Sequence, residues 1–397
     1  MLQAPKRHPA AAALEDPEAL RAFARELDAI KAEARAAMGP EDLRHLRKLE
    51  RWGRACTVLG YVTAGATAWL VPNPISALLL SQGRLMRWTM FAHHVCHRGY
   101  DRVPEVPRRR TSAVFARGWR RLVDWLDWLD PEAWSHEHNR LHHYRLGELA
   151  DPDLVERNLD WLRRARLPRA LKLAVIAFFA TTWKWSYYAP NTWRALKIEQ
   201  ARRAGDEHFD IPSHVQVWGD PAFLLRCVLP YAVVTFAVIP GLFAALLGPQ
   251  AGLAVLLTSV LAELFTNIHG FVVITTNHAG ADVHAFSGPV TGGKAEFYWR
   301  QVVGSVDFRT GGDLNDALHG FLNYQIEHHL FPELTMRQYQ RIAPRVKALC
   351  AEYGVPYLQE SVWRRLGKTV AVMIGEASQA RSSGVPVDDV EAAEAAE

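Results

Sequence analysis

Cysteine is scarce in this sequence and never closely paired. The four thiols, Cys56, Cys96, Cys227 and Cys350, lie far apart and form no CxxC. That excludes a disulfide framework and a thiolate zinc site, and it fits a reducing compartment. Charge of one sign is also in short supply. The formal net charge of +4 is too small for a dedicated binder of nucleic acid. The opening MLQAPKRHPAAAALEDPEAL contains no secretory core, because Glu15 and Asp16 cut its alanines short. HEH at 136–138 lacks the spacing of HExxH, so the zinc-protease arrangement is missing. The Glu-x-x-His pairs of soluble carboxylate di-metal bundles are not the dominant pattern either.

Apolar length, by contrast, is plentiful. Hydrophobic residues make up 49% of the chain, and they concentrate in five runs at 56–71, 74–92, 171–189, 222–247 and 251–276. A membrane-crossing helix needs about 20 such residues. The joints VPNPIS and LGPQAG are short and uncharged, whereas 98–170 carries Arg108, Arg109, Arg110, Arg120, Arg121, Arg163, Arg164, Arg166 and Arg169. Positive charge stays on the cytoplasmic side, so both tight joints face outward and the Arg-rich middle faces inward. If the third run crossed as well, the two joints would lie on opposite sides. Its end, with Trp183, Trp185, Tyr187 and Tyr188 around Lys184, has the chemistry of a membrane–water interface.

The expected fold is therefore an all-α, multi-pass integral membrane protein. It has four transmembrane helices as two hairpins, an interfacial helix near 171–189, and a cytoplasmic helical cap, with both termini cytoplasmic. The competing reading is a soluble bundle with very apolar core helices. Arg84 and Arg87, inside the second run, must snorkel or face the protein interior. Residues 1–52 read as cytoplasmic helices broken at Gly39-Pro40, 53–370 as the catalytic membrane domain, and 371–397 as a small-residue, acidic, disordered tail.

The stretch NYQIEHHLFP at 323–332 is chemically out of place in either a loop or a core. Random order would give the 17 histidines roughly 0.7 adjacent pairs. The chain has three: His93-His94, His142-His143 and His328-His329. In HHVCH, His93 and His97 are four apart and share a helical face. In HEHNRLHHY, His138 and His142 share a face, while His143 is rotated by about 100° and is placed to serve a second metal. His278 closes the last apolar run, and QIEHH brings Gln325, His328 and His329. In the expected topology all of these lie at one membrane face.

Eight imidazoles exceed the four ligands of one tetrahedral zinc and suit two metals with open positions. Imidazole suits iron, zinc and copper alike, so ligand type leaves the metal open. The expected ligands are His93, His97, His138, His142, His143, His278, His328 and His329. Gln325, Glu327 and Asp153 are weak ligands or orienting groups, and His269 is held in reserve. His94 should point elsewhere, and His136 should orient a neighbour or face solvent. Ligand imidazoles usually donate their outer N–H to a carboxylate or carbonyl; Glu137, Asp151, Asp313 and Asp316 are further candidates, each by default an ordinary solvated acid.

HxxxH at 93–97, HxxxHH at 138–143 and QxxHH at 325–329, set around two apolar hairpins, resemble the membrane fatty acid desaturase superfamily over roughly 55–355. LNYQIEHHLFP followed by YQRIAPRVKALCAEYGVPY is similar to bacterial acyl desaturases and to the front-end group. The resemblance implies two irons held by the histidine boxes, with zinc able to substitute on overexpression. It further implies O2 as co-substrate and removal of hydrogen from a fatty acyl substrate that arrives through the lipid bilayer. The His-Pro-Gly-Gly of a fused haem domain is not found in the sequence. Electrons are then expected from an external donor of ferredoxin, rubredoxin or cytochrome type. HHVCHRGYD also departs from the commonest first box, which points to a divergent branch.

Two rivals stand beside this reading. A hydroxylase, ketolase or alkene-forming decarboxylase would use a similar histidine set on a lipid-like substrate. A metal transporter or store would need ligands near the midplane, where the one acid in the last run is Glu263. The Arg runs at 108–110 and 163–169 are read as attracting lipid headgroups in preference to the phosphates of an acyl carrier.

Overall fold

A computed structural model describes residues 16–206 and 208–382. It is mostly helical. Helix α1 (Pro17–Ala36) starts where the Asp16 carboxylate accepts from the backbone N–H groups of Glu18 and Ala19. Its buried side, Leu20, Phe23, Leu27 and Ile30, follows helical spacing. The chain breaks at Gly39 as expected, and α2 (Pro40–Ala66) follows. Because α2 runs unbroken through 52 and 53, the expected domain boundary falls inside one helix. Residues of α1 also share a single core with the rest of the molecule.

Helix α3 (74–96) is capped by the Asn73 side chain and runs back along α2. The hairpin is tight: a Cβ at Gly83 would lie 2.3 Å from Thr57 Oγ1, so only glycine allows this approach. Then come α4 (131–145), α5 (169–204), α6 (Pro221–Leu247) and α7 (Pro249–Asn277). Smaller helices complete the cap: α8 (Gly293–Val303), α9 (Gln325–Leu330), α10 (Met336–Glu352) and α11 (Val362–Met373). The apolar side of α10 covers α1 through Tyr339, Ile342, Val346 and Leu349.

Among the described residues two helices, α6 and α7, are long and apolar enough to cross a membrane. The first hairpin falls short by composition, because α2 enters it through Arg51 and Arg54 and α3 carries Arg84 and Arg87. Even so, Val58, Val62, Ile75 and Leu78 on this hairpin are exposed, as are Leu225, Leu242, Leu246, Leu253 and Val260 on α6 and α7. The third apolar run does not stop at 189. It continues as α5 to Ala204 and is fastened to α7, where Trp183 Nε1 donates to Asn267 O at 2.8 Å.

Arg84 faces the interior, 2.9 Å from Glu263 Oε1. Trp128 Nε1 donates to Glu263 Oε2 at 3.0 Å, and the Tyr231 hydroxyl donates to Oε1. Glu263 thus ties together α3, α6, α7 and the segment that carries Trp128.

The chain from 371 to 382 is ordered, against expectation. After α11, strand β4 (Ala380–Ser382) pairs in parallel with β1 (His284–Phe286). Small polar residues suggested disorder, but distant cations hold this segment: Arg163 donates to Ala377 O at 3.0 Å and Lys172 to Ile374 O at 2.9 Å. Arg163 is therefore committed to the fold instead of to a headgroup. The rest of the expected tail, 383–397, lies outside the described residues. A second parallel pair joins β2 (Asp307–Phe308) to β3 (Gln359–Glu360).

Candidate metal centre

The eight predicted histidines come together from four places: the end of α3, the middle of α4, the residue after α7, and α9. His93, His97, His138, His143 and His328 each offer one ring nitrogen, and these all lie within 4.8 Å of one another. His142, His278 and His329 form a second such group. A third combination joins His138 and His142 to Asp153.

The division between His142 and His143 reverses the sequence expectation. Residues Glu137–His142 form a widened turn, in which the His143 N–H donates to the carbonyl of His138, five residues back. An ordinary helix would put 138 and 142 on one face; the wider turn brings 143 beneath 138 instead. His143 therefore joins the five-histidine group, and His142 joins the other.

Hydrogen bonds fix which nitrogen carries the proton in His93, His278, His328 and His329. His93 Nδ1 donates to Thr89 O at 3.1 Å, His278 Nδ1 to Gly304 O at 3.1 Å, and His329 Nδ1 to Gln301 Oε1 at 3.1 Å. Tyr339 gives its own proton to Phe331 O, so its oxygen accepts from His328 Nδ1 at 3.3 Å. The inner Nε2 atoms consequently present lone pairs. Yet His93 Nε2 lies 2.9 Å from His328 Nε2 and 3.0 Å from His138 Nε2, and His328 Nε2 lies 3.1 Å from His143 Nε2. The facing lone pairs of His93 and His328 repel unless a cation lies between them. The spacing suits one, since neighbouring nitrogens about 2.1 Å from a metal and at right angles lie about 3 Å apart.

Burial and mutual repulsion hold His138, His143, His328 and His329 well below the usual imidazole range, which keeps them neutral and able to ligate. In the second group, His329 Nε2 finds no hydrogen-bond partner among the described residues. Gln325 reaches this group, its side-chain nitrogen 2.9 Å from His278 Nε2. Its oxygen is buried without a described partner; exchanging the two amide atoms would aim that oxygen at the group.

Other expected residues lie elsewhere. Burial and the nearby carboxylates Asp153 and Asp151 push Glu137 well up, and it meets no imidazole, only Asn191 Nδ2 at 3.5 Å. Glu327 turns away from the histidines, because Gln325, His328 and His329 take that face of α9. It accepts from Tyr357 at 2.9 Å, and Tyr357 also bonds Asp307. Asp307 in turn accepts from Ile326 N at 2.9 Å, so the acid pair holds α9 from behind. His269 is spent on Leu318 O at 2.7 Å. His94 lies outside all three groups, with Nδ1 on Met90 O at 3.0 Å, and His136 is also outside them. Gln301, Gly304 and Tyr339, which orient ring nitrogens here, gave no signal in the sequence because each acts across a long chain separation.

Two cavities border this centre, each lined by different histidines. One, of about 340 Å³, is walled by Trp88, Ile176, Phe179, Trp183 and Ile274, and His93, His138, His142 and His278 border it. The other, of about 680 Å³, reaches His97, His143 and His329 past Lys31, Arg98, Arg102 and Lys294. The first is mostly apolar, whereas charged and polar side chains make up most of the residues around the second.

Comparison with known proteins agrees with this geometry. The family model for fatty acid desaturase matches residues 67–361. An NADPH-dependent stearoyl-CoA 9-desaturase of Mycobacterium tuberculosis is 25% identical over 358 residues, covering 87% of this chain and 77% of that protein. The Delta(8)-fatty-acid desaturase 2 of Arabidopsis thaliana is 34% identical over 111 residues, 28% of this chain and 24% of that one. Fatty acid desaturase 3 of Bos taurus is 57% identical over 42 residues, 11% of this chain and 10% of the relative. With the family model matched across most of the chain and its histidines gathered beside an apolar cavity, the protein belongs to the fatty acid desaturase family.

Proposed function

We propose that this protein is an O2-dependent di-iron desaturase that inserts a double bond into a fatty acyl chain. The observation that carries the reading is the convergence of eight imidazoles, most of them buried, against the wall of an apolar cavity. His93, His97, His138, His143 and His328 would hold one iron. His142, His278 and His329 would hold the other, with Gln325 or Asp153 beside it. When bound, the irons supply the oxygen activation and the hydrogen abstraction that no side-chain base can perform on a methylene.

The chain's own residues do the rest. Trp88, Ile176, Phe179 and Trp183 would seat the acyl chain and exclude water. Asp151 and the carbonyls of Thr89 and Gly304 hold the outer imidazole protons in place. The reaction balances when a –CH2–CH2– unit, O2, two electrons and two protons become a double bond and two waters. The electrons would come from an external donor, such as a ferredoxin, a rubredoxin or a cytochrome.

The exposed leucines and valines of both helical hairpins support a four-crossing topology with α5 along the interface, since a water-facing surface would rarely leave so much apolar area uncovered. In that arrangement the metal centre and α1 lie in the cytoplasm. Residues 17–382 act as one catalytic unit, with α1 and the first turns of α2 as its cytoplasmic brace.

The test is the metal content of detergent-purified protein from iron-supplemented cells, with lipid extracts analysed in parallel. About two irons per chain and new double bonds are expected. Hydroxylated or shortened products would assign the same centre to a different reaction. Zinc in place of iron is accommodated, because it binds nitrogen sites more tightly than Fe(II).

A further inference from the structure

We propose that residues 362–382 form a strap that positions His278, with Gln379 as its positioning residue; this rests on the two-metal reading above. His278 stands outside regular helix, in the turn that follows α7. Ring contacts alone do not fix a ligand carried on such a turn, so its backbone must be held from outside.

The strap holds it. Gln379 Nε2 donates to His278 O at 3.1 Å. On the next residue, Ala279 O accepts from Arg365 Nη2 at 2.8 Å and from Thr369 Oγ1 at 2.9 Å. Arg365 Nη1 also reaches both oxygens of Asp282, at 2.7 and 2.8 Å, and Lys368 joins at 2.6 Å. Gly280 makes room for this: its φ is +159°, and a Cβ there would lie 2.3 Å from Arg365 Nη2. The loop then enters β1, which β4 pairs in register, His284 with Ala380.

Gln379 is 3% exposed, and its side-chain oxygen has no partner among the described residues. Burying an unsatisfied amide oxygen is costly, and packing alone would be better served by an apolar side chain. The amide is explained by what its nitrogen does to the His278 carbonyl. At its other side the strap touches substrate space, where Met373 borders the apolar cavity. One segment therefore joins the cavity wall to a ligand of the His142–His278–His329 group. It lies beyond residue 361, where the family model's match ends.

The experiment uses full-length, iron-loaded protein carrying Gln379→Ala or the similarly sized Gln379→Met, challenged with bipyridine while iron per chain is followed. Both variants should lose one of two irons roughly 10-fold faster than wild type and keep the other, the low end for losing a group that orients a ligand. The melting temperature should not move, and kcat should fall while KM for the acyl substrate stays within about twofold. Methionine keeps the size but not the donor, so a packing role would be rescued by it and a positioning role would not.

If Gln379→Ala proves unstable, Ser382→Ala serves instead. It removes only the 2.7 Å contact with His284 Nδ1 at the strap's end, and a smaller acceleration of the same single iron is expected. Wild-type release kinetics in these variants overturn the strap alone, as does loss of both irons together on unfolding. A wild-type protein that never takes up a second metal overturns the strap and the two-metal reading together.

Discussion

His142 Nδ1 lies 2.9 Å from Asp151 Oδ1, both side chains 2% exposed, whereas Nδ1 of its neighbour His143 has no partner among the described residues. Burial disfavours charge on His142, yet Asp151 and Asp153 outweigh it and raise its pKa. Asp151 also accepts from the backbone N–H of Gly147 at 2.9 Å and of Asp153 at 2.9 Å, so it is a rigid acceptor. Asp151→Asn should therefore weaken metal binding at the His142 group by about 10- to 100-fold, read as iron retained after dialysis. Glu137→Gln, which touches no imidazole, should leave retention unchanged. Equal retention in the two variants would rule out the orienting role of Asp151.

Adjacent histidines should empty different positions. His143→Ala removes a nitrogen from the five-histidine group and His142→Ala one from the three-histidine group. Mössbauer spectra of the iron-loaded variants should each lose a different component. His94→Ala, with its ring turned to Met90 O, should retain both irons. Loss of the same component from the His142 and His143 variants would contradict the widened turn.

That turn shows where sequence reading stops. The spacing of HHVCH was enough to place His93 with His97, because α3 ends in ordinary helical geometry there. HEHNRLHH has the same local pattern, but Glu137–His142 widens, and nothing in the residue types announces it. The hairpin joints, the break at Gly39-Pro40 and the histidines that converge were legible, since proline, glycine and histidine act locally. The roles of Gln301, Gln379 and Arg365 were not, because each depends on which distant backbone carbonyl or imidazole comes within 3 Å. The tail misled for the same reason: composition reports what a segment can do alone, not that Arg163 and Lys172 will bind its carbonyls.

Arg84 and Glu263 form a buried pair, 13% and 3% exposed. Removing one partner of such a pair costs about 3–5 kcal/mol, while replacing both by apolar residues is often neutral. Arg84→Met alone should lower the melting temperature in detergent sharply, and Arg84→Met with Glu263→Leu should recover much of the loss. Metal flux into liposomes should be absent in wild type and in both variants. Flux that depends on Glu263 would return the transporter reading to contention.

Ile176 is buried on α5 and borders the apolar cavity. Ile176→Trp fills part of that space, so the product distribution should move toward shorter acyl chains. Each excluded methylene is worth about 1–3 kcal/mol, which is enough to change product ratios more than tenfold. Gas chromatography of cell lipids reads this directly. An unchanged distribution with unchanged total activity would place the acyl chain outside this cavity.

The four-crossing topology makes a parity claim that cysteine labelling can break. Trp69 lies in the joint between α2 and α3, and Gln250 in the first turn of α7, just past the joint with α6; both are exposed. If both hairpins cross, cysteines placed at 69 and 250 should react with a membrane-impermeant maleimide in intact cells. A cysteine at the exposed position Arg109 should react only after lysis, because the Arg-rich segment stays inside. Background is low, since Cys227 and Cys350 are buried and Cys56 and Cys96 are partly so. Labelling at 250 without labelling at 69 would mean that only α6 and α7 cross. The first hairpin would then rest in one leaflet, a result its charged entry through Arg51 and Arg54 would explain. Labelling at 69 and 109 together would remove the cytoplasmic placement of the metal centre.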